Sequence, residues 1–513
     1  MIAMKEWKGE LVAQNEFASI FEGFPFYYYE VKEPQLSQQE QKLVVSLTNA
    51  VLGKWSMEEG GPFSAEFISQ FKEKVLKPVT FSEAQEYLVH VEDFEAIKLP
   101  LIAMLRDFFP LEKNQSAVAE LVLSNSIGYG PLAPLIADPS LEEIMLNGYD
   151  RPVFVFHKQY AHCRTNVFPT ARKNLDGLLQ KIAKSVGKDF DADHPLLDAR
   201  LPDGNRANAT FPFVTPFGPS LTIRKFSNIP LTIVDLIANK TFTSELAAFI
   251  WVMVEGFGIE PMNIIVTGGA GSGKTSTLNA IAAFIRYPER IVSIEDTLEI
   301  QLGSRQNWVQ MESRPQMKGQ SGVSMDDLLK NALRMRPDRI VVGEVRGSEA
   351  QTLFAAMDTG HKGILGTLHS NSAKEMLLRL RSEPMAVPES MIPLLNIILV
   401  QYRMYVKGRG IERRVLSVTE VSSMDGKPLL GNIYEWDRKT DVIGRTDIPA
   451  ALLDLLALKT MRTKKDIDRE ITVRKRIIEW MLRSNVRAPA DVEMVIQQYY
   501  YNPDSLLQKI LAE

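Results

Sequence analysis

The stretch NIIVTGGAGSGKTSTLNA, residues 263–280, limits what this chain can fold into more than any other segment. An apolar run ends in a turn carrying Gly268, Gly269, Gly271 and Gly273, and Lys274 and Thr275 then open a helix-forming segment. The spacing fits G-x-x-x-x-G-K-[ST], a loop that works only between a strand and a helix. Glycines let the backbone curl so that successive N–H groups point at phosphate oxygens. The helix behind the loop adds the positive end of its dipole. Lys274 is placed to neutralise the β- and γ-phosphates and the Thr275 hydroxyl to ligate Mg²⁺, so ATP and Mg²⁺ are the expected ligands. The expected phosphate contacts are Gly268, Gly269, Ala270, Gly271, Ser272, Gly273, Lys274, Thr275 and Ser276.

Beyond the loop, short apolar runs alternate with helical patterns: RIVSIED (290–296), a helix near 324–335, RIVVGE (339–344), another helix, and GILGTLHS (363–370). That order predicts a mostly parallel sheet covered on both faces, hence an α/β domain over 233–513. The last hundred residues read as a helical tail, with Ile467, Ile471, Ile478 and Leu482 on one stripe. Residues 116–232 read as an α+β domain, with strand-like runs at 152–160, 196–214 and 220–226 and a linker, SNIPLT, at 227–232. Residues 1–115, rich in Glu and Lys, place apolar residues at helical spacing and read as a small, mainly helical domain. The segment 313–322 reads as the mobile loop.

A phosphate loop alone does not name the reaction, so the acids decide. IVSIEDTLEI ends a strand at Glu295 and Asp296, with Glu299 following, and RPDRIVVGEVRG ends another at Gly343 and Glu344. Ligands of an open α/β sheet sit beyond the carboxyl ends of its strands, so both clusters should converge on the phosphate loop. Gly343 stands where an Asp often holds Mg²⁺ through water. Glu344 is then left to polarise the attacking water, and Glu295, Asp296 or Glu299 to serve the metal shell. Two histidines, His361 and His369, flank the next strand and suit a γ-phosphate-sensing role; His90, His157, His162 and His194 read as structural.

The formal net charge of -4 argues against a general attraction to nucleic acid or anionic membranes, and no nucleic-acid partner is expected. One cysteine, Cys163, leaves no internal disulfide and suits a reducing compartment. The opening MIAMKEWKGE reads as polar, without a secretory signal, and the apolar stretch at 391–406 is too short and too interrupted to span a bilayer. The expected location is cytoplasmic.

Four boxes in order, GGAGSGKTS, IVSIEDTLEI, LRMRPDRIVVGEVRG and TGHKGILGTLHSNSA, resemble those of the type II/IV secretion ATPase superfamily, whose members also assemble type IV pili and archaella. The segments YGPLAPLIADPSLEEIMLNG and LLDARLPDGNRANA are similar to its second N-terminal domain. The resemblance implies a RecA-like ATPase domain in a homo-hexamer. It also implies arginines from the preceding domain at the phosphates, matching Arg206 and Arg224 here, with Arg200 as a further candidate. Family partners are a polytopic membrane platform protein and its filament or secretion machinery, which implies peripheral attachment to the inner face of the cell membrane. Bacterial extension members carry a four-cysteine zinc module that this chain cannot build, and its long ends look most like the archaeal branch. Two other classes stay open. A RecA-like nucleic-acid translocase would use a basic channel such as RTKKDIDREITVRKR (462–476), and a scaffold would hydrolyse ATP only incidentally.

Overall fold

In the computed structural model, the described residues are 7–52, 63–76, 91–109, 114–168, 172–226, 229–303, 305–314, 321–406 and 409–512. His90 and most of the 313–322 loop lie outside them, as do the first two residues of the 227–232 linker. The chain divides into two compact units, 1–228 and 229–513.

The first unit is built on one sheet of nine strands: β1 (Trp7–Gln14), β2 (Ala18–Phe24), β3 (Tyr27–Val31), β4 (Leu141–Asn147), β5 (Phe154–His157), β6 (Ala161–Thr165), β7 (Leu196–Arg200), β8 (Arg206–Thr210) and β9 (Ser220–Arg224). Their spatial order is β1-β2-β3-β6-β5-β4-β9-β8-β7. The helical expectation for 1–115 needs correction at its start. Residues 7–31 form three strands, and β3 pairs in parallel with β6. Aromatic and β-branched residues favour a pleated, half-buried surface, and FEGFPFYYYEV supplies them. Tyr29 lies in the same core as Ile144 and Val155, and its hydroxyl donates to the buried Asp138 carboxylate. The helices Gln38–Val51, Val91–Phe108 and Gln115–Ser126 do form, around a separate apolar core.

The second unit holds nine more strands: β10 (Ile264–Gly268), β11 (Ile291–Glu295), β12 (Trp308–Glu312), β13 (Arg339–Val345), β14 (Leu365–Leu368), β15 (Ile397–Val406), β16 (Gly410–Met424), β17 (Lys427–Asp437) and β18 (Val442–Arg445). They are ordered β12-β11-β13-β14-β10-β15-β16-β17-β18. Pairing is parallel from β12 to β15 and antiparallel from there to β18. Side chains of β10 alternate between two cores: Ile264 and Val266 face one, Ile265 the other. Burial on both faces is why these strands read as unbroken apolar runs.

The tail expectation is also corrected. Residues 410–445 form strands, and helices begin only at Ala451. Ile467, Ile471 and Ile478 then sit on the buried side of the helix Lys464–Arg483, with Leu482 half-buried against the same core.

Candidate nucleotide site

β10 ends at Gly268, and the chain turns through 269–273 into the helix Lys274–Ala282. Gly271 and Gly273 take φ of 68° and 92°, a region that side-chain-bearing residues avoid. Gly268 is required by crowding, since a Cβ there would lie 2.5 Å from both the Gln401 carbonyl oxygen and Ser272 Oγ. The Lys274 ammonium folds back over the loop and donates to the carbonyls of Gly268 (3.1 Å) and Gly269 (3.2 Å). Ser272 is buried; Thr275 and Ser276 are half-buried and Ala270 is exposed.

Because β10, β11, β13 and β14 run parallel, the segments after them emerge on one edge of the sheet. Glu295 ends β11 and is 1% exposed; one carboxylate oxygen accepts the backbone N–H groups of Glu299 (2.7 Å) and Ile300 (2.8 Å). Its other oxygen is buried with no hydrogen-bond partner among the described residues. Burial pushes the Glu295 carboxyl up to about 7, against those two hydrogen bonds and with added repulsion from Glu299 and Glu312. Asp296 is exposed and accepts from the Ser313 hydroxyl at 3.0 Å. Glu344, near the end of β13, is bound by the Arg346 guanidinium, whose other nitrogen stands 3.8 Å from Asp296. Arg346 therefore gathers two of the acids, a role the sequence did not suggest.

The Glu299 segment docks on the helix behind the loop. Asn279, one turn after Thr275, donates to the Glu299 carbonyl (3.1 Å) and accepts from the Gln301 N–H (3.0 Å). Among the described residues no three His, Cys, Asp or Glu side chains are grouped to hold a metal ion. Thr275 and the phosphate oxygens would hold Mg²⁺ directly, with Asp296 and Glu299 reaching it through water.

His369 follows β14 on the loop edge, where Ser370 and Thr267 share hydrogen bonds. His361 does not join it. It precedes β14 and, at about 3.3 Å per residue, stands more than ~10 Å away at the opposite edge. Flanking the same strand puts the two histidines at its opposite ends, so of the expected sensing pair only His369 stands on the loop edge.

In the first unit, Arg200, Arg206 and Arg224 are cross-strand neighbours in one row over β7, β8 and β9. The residues between them in the alternation, Ala199, Ala207 and Ile223, are buried, so all three arginines lie on the outward face. Arg206 is bound to Asp198 at 2.7 Å and holds that carboxyl below its usual range.

The profile of the type II/IV secretion system protein family matches residues 125–405, more than half of the chain. The chain belongs to that family. It is a family of ATPases. An uncharacterized protein of Methanocaldococcus jannaschii is 44% identical to this secretion-family chain over 290 residues, 56% of the chain and 38% of its own length. A second from the same organism is 31% identical over 484 residues, 92% of the chain and 85% of its own. The conjugal transfer protein TrbB of Rhizobium radiobacter is 33% identical over 262 residues, covering 50% of this family member and 76% of TrbB. The chain thus matches well under half the length of the first relative and most of the second.

Proposed function

We propose that this chain hydrolyses Mg-ATP as one subunit of a homo-hexameric ring. The ring passes its stroke to a polytopic membrane platform protein, and so powers assembly or rotation of a type IV pilus-like filament or archaellum, or secretion of the type II/IV kind. The supporting observation is the single sheet edge at which Glu295 ends β11, Glu344 stands one residue before the end of β13, and Lys274 opens the helix that follows β10. Lys274 neutralises the β- and γ-phosphates, Glu344 polarises the attacking water, and Glu295 backs the site from beneath. Arg206 and Arg224, with Arg200 beside them, supply positive charge to the transition state when the 116–232 part closes on the ATPase domain about the 227–232 linker. Loss of the γ-phosphate removes the anion that favours closure, which converts hydrolysis into movement. His369 reports on the same phosphate.

Among the described residues no helix is long and apolar enough to cross a membrane. The proposed location is the inner face of the cell membrane, reached through the platform partner.

The test is ATP turnover and nucleotide binding by the full chain. Lys274→Ala loses binding, whereas Glu344→Gln binds ATP and fails to turn it over. Wild-type turnover by Glu344→Gln overturns the mechanism, and strong stimulation of turnover by DNA replaces the motor with a translocase. Cross-linking from native membranes identifies the platform partner.

A further inference from the structure

We propose that Arg413, with Arg403 beside it, is a positioning residue of the nucleotide site, acting on the phosphate loop from the antiparallel extension of the sheet. The inference rests on the nucleotide reading above.

β15 runs parallel to β10, with Gln401 opposite Gly268. Gln401 therefore tracks the start of the phosphate loop: its carbonyl crowds Gly268, and its side-chain amide donates to the Thr277 hydroxyl at 2.5 Å. Two residues on, and so on the same face of the strand, stands Arg403. A Cβ added to Gly271 would lie 2.6 Å from Arg403 Nη1, so this guanidinium rests directly on the loop. Arg413 on β16 is the register partner of Arg403. Its Nε donates to the Gly271 carbonyl at 2.9 Å, and its Cδ would lie 3.1 Å from a Cβ on Gly273.

Like charges directly opposite each other on paired strands repel, so this pairing is unfavourable unless electronegative groups engage it. The Gly271 carbonyl is one such group, and a triphosphate held by the loop would be another. The strand fixes where Arg413 points. Its carbonyl accepts from the Thr241 hydroxyl (3.1 Å) and from Arg414 Nη1 (2.9 Å), while Arg414 is tied to Glu412 (2.6 Å) and Asp441 (2.8 Å).

Two effects follow. Holding the Gly271 carbonyl outward restrains a glycine-rich loop that would otherwise sample many conformers, so less order has to be imposed when nucleotide binds. The two guanidinium charges also add to Lys274 and to the helix dipole in drawing phosphate in. Lysine at 413 keeps the charge but lacks the planar Nε–H that reaches Gly271.

The experiment titrates a fluorescent ATP analogue into the wild type, Lys274→Ala, Arg403→Gln, Arg413→Gln and Arg413→Lys, with Tm and steady-state kinetics for each. Arg413→Gln is expected to weaken binding on the order of tenfold, through the loss of a charge-assisted hydrogen bond. KM rises with it, while kcat at saturating ATP stays within about threefold, the signature of lost uniform binding. Arg413→Lys and Arg403→Gln fall between this variant and the wild type. Wild-type affinity in Arg413→Gln, alongside lost binding in Lys274→Ala, overturns this inference and leaves the nucleotide reading intact. If Arg413→Gln does not fold, wild-type affinity in Arg413→Lys overturns it equally. Absence of binding by the wild-type protein brings down the nucleotide reading itself.

Discussion

Glu295 fills the space that a side chain at position 343 would need: a Cβ on Gly343 would lie 2.9 Å from Glu295 Cγ. The two residues follow paired positions on neighbouring parallel strands, Ile294 opposite Val342. That accounts for the departure seen in the second acidic box. The aspartate a reader looks for at 343 has no room, because a carboxylate from the next strand already occupies the place.

Gly343→Ala is therefore expected to push Glu295 off its turn. Overpacking of a buried site costs about 1–3 kcal/mol. Thermal melts should show that loss, and ATP turnover should fall with it. An unchanged Tm and rate would mean the two strands yield without cost.

Glu295 also sets a pH dependence. Its folded carboxyl is raised to about 7 from an ordinary value of 4.5. Between those limits the folded state binds more protons than the unfolded state, so stability falls as pH rises through that window. Glu295→Gln removes this contribution while keeping an oxygen for the Glu299 and Ile300 N–H groups. Melts from pH 4.5 to 8 should show a shallower decline in the variant than in the wild type, with a difference on the order of 1–3 kcal/mol. Parallel curves would contradict it.

The row of arginines allows structure and catalysis to be separated. Arg224 is flanked by Arg206 on one side and by Glu143 on the other, so its neighbours nearly cancel. Arg224→Gln should shift stability by less than about 0.5 kcal/mol, the range of exposed substitutions. Turnover should drop on the order of 100-fold or more if the guanidinium serves the transition state. Comparable rates in variant and wild type would remove Arg224 from the mechanism.

The end of the helix behind the phosphate loop is capped by Arg305, from the segment before β12, and by the C-terminal helix Pro489–Tyr501. Arg305 donates to the carbonyls of Ile285 and Arg286, Gln497 to that of Ile285, and the Tyr500 hydroxyl to that of Phe284. Arg305 is itself buried against Glu493 at 2.8 Å. Glu493→Ala strands a buried cation and should cost about 3–5 kcal/mol, read by denaturant unfolding. Glu493→Gln, which keeps an acceptor, should cost less, and equal losses from the two would argue against the pairing.

The nucleotide loop and the parallel strands around it were legible because local chemistry carries them. Glycine spacing and unbroken apolar runs lie within a few residues of what they specify. What escaped depends on distant chain. β3 finds its partner at Cys163, far along the sequence, and β16 to β18 mix polar residues into strands whose register partners and buried contacts, such as Tyr434 against Phe249, come from elsewhere in the chain. Likewise, Glu295 becomes a buried acid only once Ile300 and Gly343 close around it. No spacing rule brings Arg413 to Gly271, because 142 positions separate them and only the sheet order closes the gap.

The arginine row hangs on a short hairpin. Arg200 and Arg206 bracket the turn in which the Leu201 N–H donates to the Asn205 carbonyl at 2.7 Å. Strand side chains alternate with a period of two, so inserting one residue into that bend would rotate Arg206 into the apolar interior and turn Ala207 out to water. The length of this turn is thus under stricter constraint than its composition. A change there that spares every charged residue would still disarm the face that carries them.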